Sequence, residues 1–127
     1  MRQLMLTLLV LVMLCGATQA FALEAPKVKT PTEGAVLGPN YDIVGSMPYK
    51  AFLVLVTDCM TADGEALRTV PGIRHWTNDD GTFHFRAASP RVSIGEKGTI
   101  VSYRVRIYEV KGDEKGPETV INCAMPQ

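Results

Sequence analysis

Turn signals punctuate this chain at close intervals beyond Ala22: Pro31, Gly34, Gly38-Pro39-Asn40, Gly45, Asp63-Gly64, Pro71-Gly72, Asp80-Gly81, Pro90, Gly95, Gly98, Gly112 and Gly116-Pro117. No stretch between them sustains a helical period. The best helix candidate, Thr61–Leu67, is short and contains Gly64. Short segments between turn signals roughly 8–12 residues apart indicate an all-β sandwich or barrel.

Alternation places the strands. In Val101–Ile107, Val101, Tyr103, Val105 and Ile107 share one face, and Ser102, Arg104 and Arg106 the other, as in a half-buried antiparallel strand. Phe83 and Phe85 oppose Thr82, His84 and Arg86 in the same way. Ala51–Val56 is apolar on both faces, which predicts a central strand whose second face is at least partly covered. Weaker strands fall at Lys27–Thr30, Tyr41–Gly45, Leu67–Val70, Arg74–Thr77 and Glu118–Cys123. Seven or eight antiparallel strands in about 100 residues suit one sandwich.

The first segment is expected to be removed. Met1-Arg2-Gln3 precedes an apolar run from Leu4 to Leu14 broken only by Thr7, followed by small residues. This is the layout of a secretory signal peptide, and the run is too short for a bilayer, which needs roughly 20 apolar residues. Ala20-Phe21-Ala22 fits the cleavage pattern and favours a cut after Ala22, with Ala20 the next choice; lipidation at Cys15 is a rival. The expected organisation is therefore a signal peptide over 1–22 and one β-sandwich domain over 23–127, secreted or periplasmic, with no membrane span in the mature form.

The whole chain has 127 residues with 13 basic and 13 acidic side chains. That balance argues against a nucleic-acid partner, which normally meets a basic stripe. The mature chain keeps Cys59 and Cys123. An even cysteine count outside the cytoplasm predicts a disulfide, here closing a loop of about 64 residues and contributing roughly 4 kcal/mol.

The order of these pieces resembles that of a known class of module. Pro26-Lys27-Val28-Lys29-Thr30-Pro31-Thr32-Glu33-Gly34 is similar to the V-x-x-P-x-x-G entry of bacterial immunoglobulin-like modules, and Tyr41-Asp42-Ile43-Val44-Gly45 to their second strand. Asn78-Asp79-Asp80-Gly81-Thr82-Phe83-His84-Phe85 resembles their D-x-x-G-x-F/W-x-F hairpin. Tyr103–Tyr108 resembles the sixth strand of fibronectin type III and related sandwiches, and the layout is similar to the Ig-like domain of bacterial spore-germination proteins. The resemblance implies an Ig-like antiparallel β-sandwich with Tyr103 at a tyrosine corner, its hydroxyl bonded to nearby backbone. It also implies that Cys59 and Cys123 end on strands flanking the sixth, two strand spacings or about 9–10 Å apart, whereas a disulfide wants Cα atoms roughly 5.5–6 Å apart. A bridge would require the chain to lean across the start of strand six, near Gly98.

Chemistry-bearing constellations are sparse. No G-x-S-x-G elbow occurs, and nothing places His75 or His84 beside a serine or free thiol, so no enzyme is expected and no cofactor is implied. Asn78-Asp79-Asp80 reads as a hairpin turn before Gly81, with loop calcium binding as the rival. Met47, Met60, Met125, His75 and His84 could serve copper. Pro31-Thr32-Glu33-Gly34 is also similar to a turn in periplasmic copper-resistance carriers, but these methionines are scattered. Trp76 reads most simply as core; as exposed sugar-stacking candidates, Tyr49 and Tyr108 come ahead of it. The outer face of strand six offers Arg104, Arg106 and Tyr108 beside a strand apolar on both sides, which is the composition of protein interfaces. The expected function is a non-catalytic binding or structural module meeting a protein or cell-envelope polymer; the alternatives are a copper-type carrier and an enzyme.

Overall fold

The computed structural model describes residues 22–126. Apart from Ala22, the segment assigned above to the signal peptide lies outside the described residues. Eight strands follow one another: β1 (Lys27–Thr30), β2 (Asn40–Ser46), β3 (Phe52–Thr61), β4 (Ala66–Trp76), β5 (Thr82–Ala88), β6 (Ile100–Lys111), β7 (Glu114–Lys115) and β8 (Thr119–Ala124). One 3-10 turn, Ile94–Glu96, is the helical content among the described residues. No helix there is long and apolar enough to cross a membrane.

The strands form two antiparallel sheets. The smaller has the order β1-β2-β5; the larger runs β4-β3-β6, with β7 and β8 sharing the far edge of β6. Alternation explains how they face one another. Tyr41, Ile43, Phe83 and Ala87 of the smaller sheet pack against Leu53, Leu55, Cys59, Tyr103, Val105, Ile107 and Ile121 of the larger. This is a β-sandwich with one core, as the turn spacing predicts.

The doubly apolar run of β3 lies between β4 and β6, as a strand with no polar face must. Its inner side supplies the core. On the outer side Val54 is also buried, between register partners Arg74 of β4 and Tyr108 of β6. Long neighbouring side chains thus cover the second face without a third layer.

Two expected strands, Leu67–Val70 and Arg74–Thr77, are one. Pro71-Gly72 reads as a turn, yet β4 runs through both residues, and the pairing with β3 skips register between Val54 and Val56. Proline is tolerated because β4 is an edge strand whose outward N–H needs no ladder partner. Gly72 is needed for contact: a Cβ there would meet Leu55 Cδ2 at 2.7 Å and its carbonyl oxygen at 2.8 Å.

The expected Cys59–Cys123 disulfide is corrected. β3 does not end at Val56 but continues to Thr61, so Cys59 sits within a regular ladder. Cys59 and Cys123 pair with opposite sides of Tyr103, which holds them two strand spacings apart, wider than a disulfide spans. Both are free, buried thiols. Burial raises the Cys59 thiol and pushes Cys123 up to about 11, so neither carries thiolate at neutral pH. Between them, Tyr103 Oη donates to the Pro90 carbonyl at 3.0 Å.

Candidate functional site

Even-numbered residues of β6 and their ladder partners make the outer face of the larger sheet. Arg104, Arg106, Tyr108 and Val110 stand beside Asp58, Val56, Val54 and Phe52 of β3, and beyond these lie Thr69, Pro71, Arg74 and Trp76 of β4. The expected trio Arg104, Arg106 and Tyr108 does share this face. The arginines, however, are not free cations over apolar neighbours.

Asp58 gathers them. It is only 1% exposed although it points away from the core. Thr69 Oγ1 donates to its Oδ1 at 2.5 Å, Arg104 Nε to Oδ2 at 2.7 Å, and Arg106 Nη2 to Oδ1 at 3.0 Å. Arg106 Nε also lies 2.8 Å from Oδ2, but out of line for a hydrogen bond, so that contact is electrostatic only. Burial pushes the Asp58 carboxyl up; the bonds from Thr69, Arg106 and Arg104 outweigh it and hold the group below the ordinary carboxylate range. Glu118 extends the cluster by accepting from Arg106 Nη1 at 3.3 Å and from Lys115 Nζ at 2.6 Å. Lys115 Nζ in turn sits 4.4 Å from the centroid of the Tyr108 ring. This half of the face is an ion network that fixes side-chain positions, with one buried donor, Arg106 Nε, left without a hydrogen bond.

The other end is open. Trp76, expected in the core, is 54% exposed and packs edge-on against Phe52 with ring centroids 5.4 Å apart. Its orientation follows from register: Trp76 pairs with Phe52, and Phe52 with Val110, all on the outer face. Lys50 Nζ lies 5.7 Å from the indole centroid and 3.2 Å from Asp79, while the Arg74 guanidinium lies 5.8 Å from the Phe52 ring. Neither Arg74 nor Lys111 has an acidic partner at ion-pair distance among the described residues. A groove of about 490 Å³ runs here between Tyr49, Phe52, Arg74, Trp76, Glu109 and Lys111. Glu109 is 3% exposed, and its Oε1 accepts from Tyr49 Oη at 2.6 Å. Burial first, and then donation to this carboxylate, push the Tyr49 phenol up to about 12.

The remaining candidates are not assembled into sites. The Asn78–Gly81 segment is a tight turn but, against the expectation, not a hairpin: it carries the chain from β4 in the larger sheet to β5 in the smaller one. Gly81 N donates to the Asn78 carbonyl and Asn78 N to the Thr82 carbonyl, both at 2.9 Å. Asp80 Oδ1 is committed to Thr82, accepting from its N at 3.0 Å and its Oγ1 at 2.6 Å. Of the thioethers, Met47 and Met60 are buried and Met125 packs against the core. His84 Nε2 lies 3.3 Å from Asp42, and His75 Nδ1 lies 2.7 Å from the Trp76 carbonyl. No group of three or more His, Cys, Asp or Glu able to hold a metal occurs among the described residues.

No protein-family model matches the chain, and no curated protein matches it. Among solved structures it is similar to the Pseudomonas fluorescens alkylpurine DNA glycosylase AlkC bound to DNA containing an abasic site analog. The identity is 13% and the TM-score 0.38, over 77% of this chain and 30% of that one. The chain thus spans under a third of that protein's length. The expectation that excludes nucleic acid is corrected by this likeness to a protein solved on DNA, and it is withdrawn. Its physical basis was also weak, because a net charge near zero describes the whole chain and not any one face. A TM-score of 0.38 carries no argument about what this chain itself binds.

Proposed function

We propose that this chain is an exported, non-catalytic Ig-like β-sandwich module that binds a protein or cell-envelope polymer through the outer face of its larger sheet. Support for export is the Met1–Ala22 pattern. Support for the Ig-like assignment is the pair of antiparallel sheets, with β6 flanked by β3 and β8 and the Tyr103 hydroxyl tied to loop backbone at Pro90.

The observation that carries binding is Trp76. A large aromatic left 54% exposed on an edge strand, beside an Arg74 that has no acidic partner among the described residues, keeps most of its apolar surface available although one edge packs on Phe52. Tryptophan and arginine are the residues that most often dominate binding energy, and a strand presents them without a large ordering cost. The ion network centred on Asp58 contributes by immobilising the neighbouring part of the face.

Sedimentation with the host's envelope fraction tests this reading. Wild-type protein is expected in the pellet, and the Trp76→Ala/Arg74→Glu double variant in the supernatant with an unchanged circular dichroism spectrum. Equal partitioning of the two would dismiss the face as a binding surface.

A further inference from the structure

We propose that the groove between Tyr49, Trp76 and Glu109 is a subsite for an acidic carbohydrate, a sugar ring carrying a carboxylate. This rests on the binding face proposed above and names its ligand class. Three features converge within one groove of about 490 Å³, a volume within the range of small-ligand sites. Each selects a different part of the ligand.

The first is the exposed indole of Trp76, braced by the Phe52 ring. A pyranose presents a flat face of C–H bonds, and an indole fixed on a strand offers it a matching apolar surface. The second is the Glu109 carboxylate, buried in the groove wall and fixed by Tyr49 Oη at Oε1. Its other oxygen has no side-chain donor among the described residues and can accept one from the ligand. Sugar hydroxyls are such donors, and a charged acceptor makes the bond stronger than a neutral one would. The third is the pair of cations on the rim, Arg74 and Lys111, which have no acidic partner among the described residues. They complement a carboxylate on the ligand.

Other occupants satisfy fewer of these groups. A quaternary ammonium ligand would suit the aromatic rings and Glu109 but be repelled by Arg74 and Lys111. An acidic peptide such as polyglutamate would suit the cations but brings no hydroxyl donor to Glu109. A single-stranded DNA would stack a base on Trp76 and pair its phosphates with the cations, yet the sugars within its strand have no free hydroxyl to donate to Glu109. A uronic acid ring separates its carboxylate from its hydroxyls across the ring and can address both kinds of group at once.

Trp76 is the only tryptophan in the chain, so its emission reports on this groove alone. The test is a titration of purified protein with tetragalacturonate at low ionic strength, read by Trp76 emission and by calorimetry. Neutral cellotetraose, a short polyglutamate and a dT oligonucleotide are the comparison arms. A saturable response to tetragalacturonate is expected, weakened by added salt and at least about tenfold weaker in Arg74→Glu. Glu109→Gln is expected to weaken it as well, and Tyr49→Phe serves as the second probe of the carboxylate if Glu109→Gln folds poorly. Ile94→Ser, far from the groove and 87% exposed, is expected to bind as wild type. No saturation with tetragalacturonate, or equal binding of cellotetraose, polyglutamate or the oligonucleotide, overturns the proposal. If tetragalacturonate is silent while the double variant still loses envelope binding, the acidic-sugar assignment fails and the binding face stands.

Discussion

Asp58→Ala is expected to lower stability by about 3 kcal/mol, the largest effect of any single side-chain truncation on the outer face. The substitution removes the acceptor shared by Thr69, Arg104 and Arg106. It leaves two guanidinium groups packed against a sheet with one remaining acid, Glu118, within reach of Arg106. The figure sits at the low end for breaking a buried pair because the arginines keep side-chain exposures of 34% and 24% and can turn towards water. For a domain of this size the drop corresponds to a melting temperature lower by roughly 15 °C. The same geometry makes charge reversal at Arg104 and Arg106 a poor probe of partners, since two glutamates would face a buried carboxylate and the sheet would open first.

The network also fixes the sign of the pH dependence. The Asp58, Glu118 and Glu96 carboxyls are all held below their ordinary values: Asp58 by hydrogen bonds that overcome its burial, Glu118 by Lys115 first, and Glu96 by Arg68 first, to about 2. A depressed folded-state value gives stability that is fully present above the unfolded value, near pH 4, and lost as pH falls through the folded one. Thermal midpoints are therefore expected to hold from pH 7 to about 5 and to fall between roughly pH 4 and 2. Asp58→Asn should flatten that fall. A midpoint indifferent to acid across this window would mean the ion network does not hold the face.

Gly81→Ala is the second large effect, expected to cost about 3 kcal/mol or more. Gly81 has φ +90°, which disfavours any side chain by roughly 1–2 kcal/mol. A Cβ there would also stand 2.0 Å from the Met47 carbonyl oxygen and 2.8 Å from that of Tyr49. Since these atoms are backbone, the Met47–Tyr49 segment must move, and Tyr49 is a wall of the groove. Two other glycines separate the contributions. Gly64 has φ +82° with open space around its missing Cβ, so Gly64→Ala should show the conformational cost alone. Gly95 has neither constraint, and Gly95→Ala should be close to neutral. Equal melting temperatures for Gly81→Ala and Gly64→Ala would show that the close approach to Met47 is not real.

How much of this could be read from the residues depends on whether the information was local. Val101–Ile107 and Thr82–Arg86 announce their inner faces by alternation, and the double apolar run at Ala51–Val56 requires a central position; all three are realised. Pro71-Gly72 misleads because a turn and an edge-strand irregularity call for the same residues, and only the partner strand decides between them. Ending the third strand at Val56 hides Asp58, whose place in Val-Thr-Asp-Cys-Met is otherwise a signal: an acid inside an apolar strand demands cationic partners. Trp76 carries a missed signal of the same kind. It alternates with Arg74 on one side and with Ile73 and His75 on the other, so its face was the charged one. The disulfide expectation rests on cysteine parity, which is blind to Tyr103 standing between the two sulfurs.

The functional reading depends above all on where the lone indole points. Acrylamide quenching of Trp76 emission measures this without any ligand. Native protein is expected to emit near the wavelength of the unfolded chain and to be quenched nearly as efficiently, because the residue is 54% exposed. A blue-shifted emission that resists acrylamide until the protein unfolds would put Trp76 in the core, and the groove with its proposed ligand would have to be abandoned.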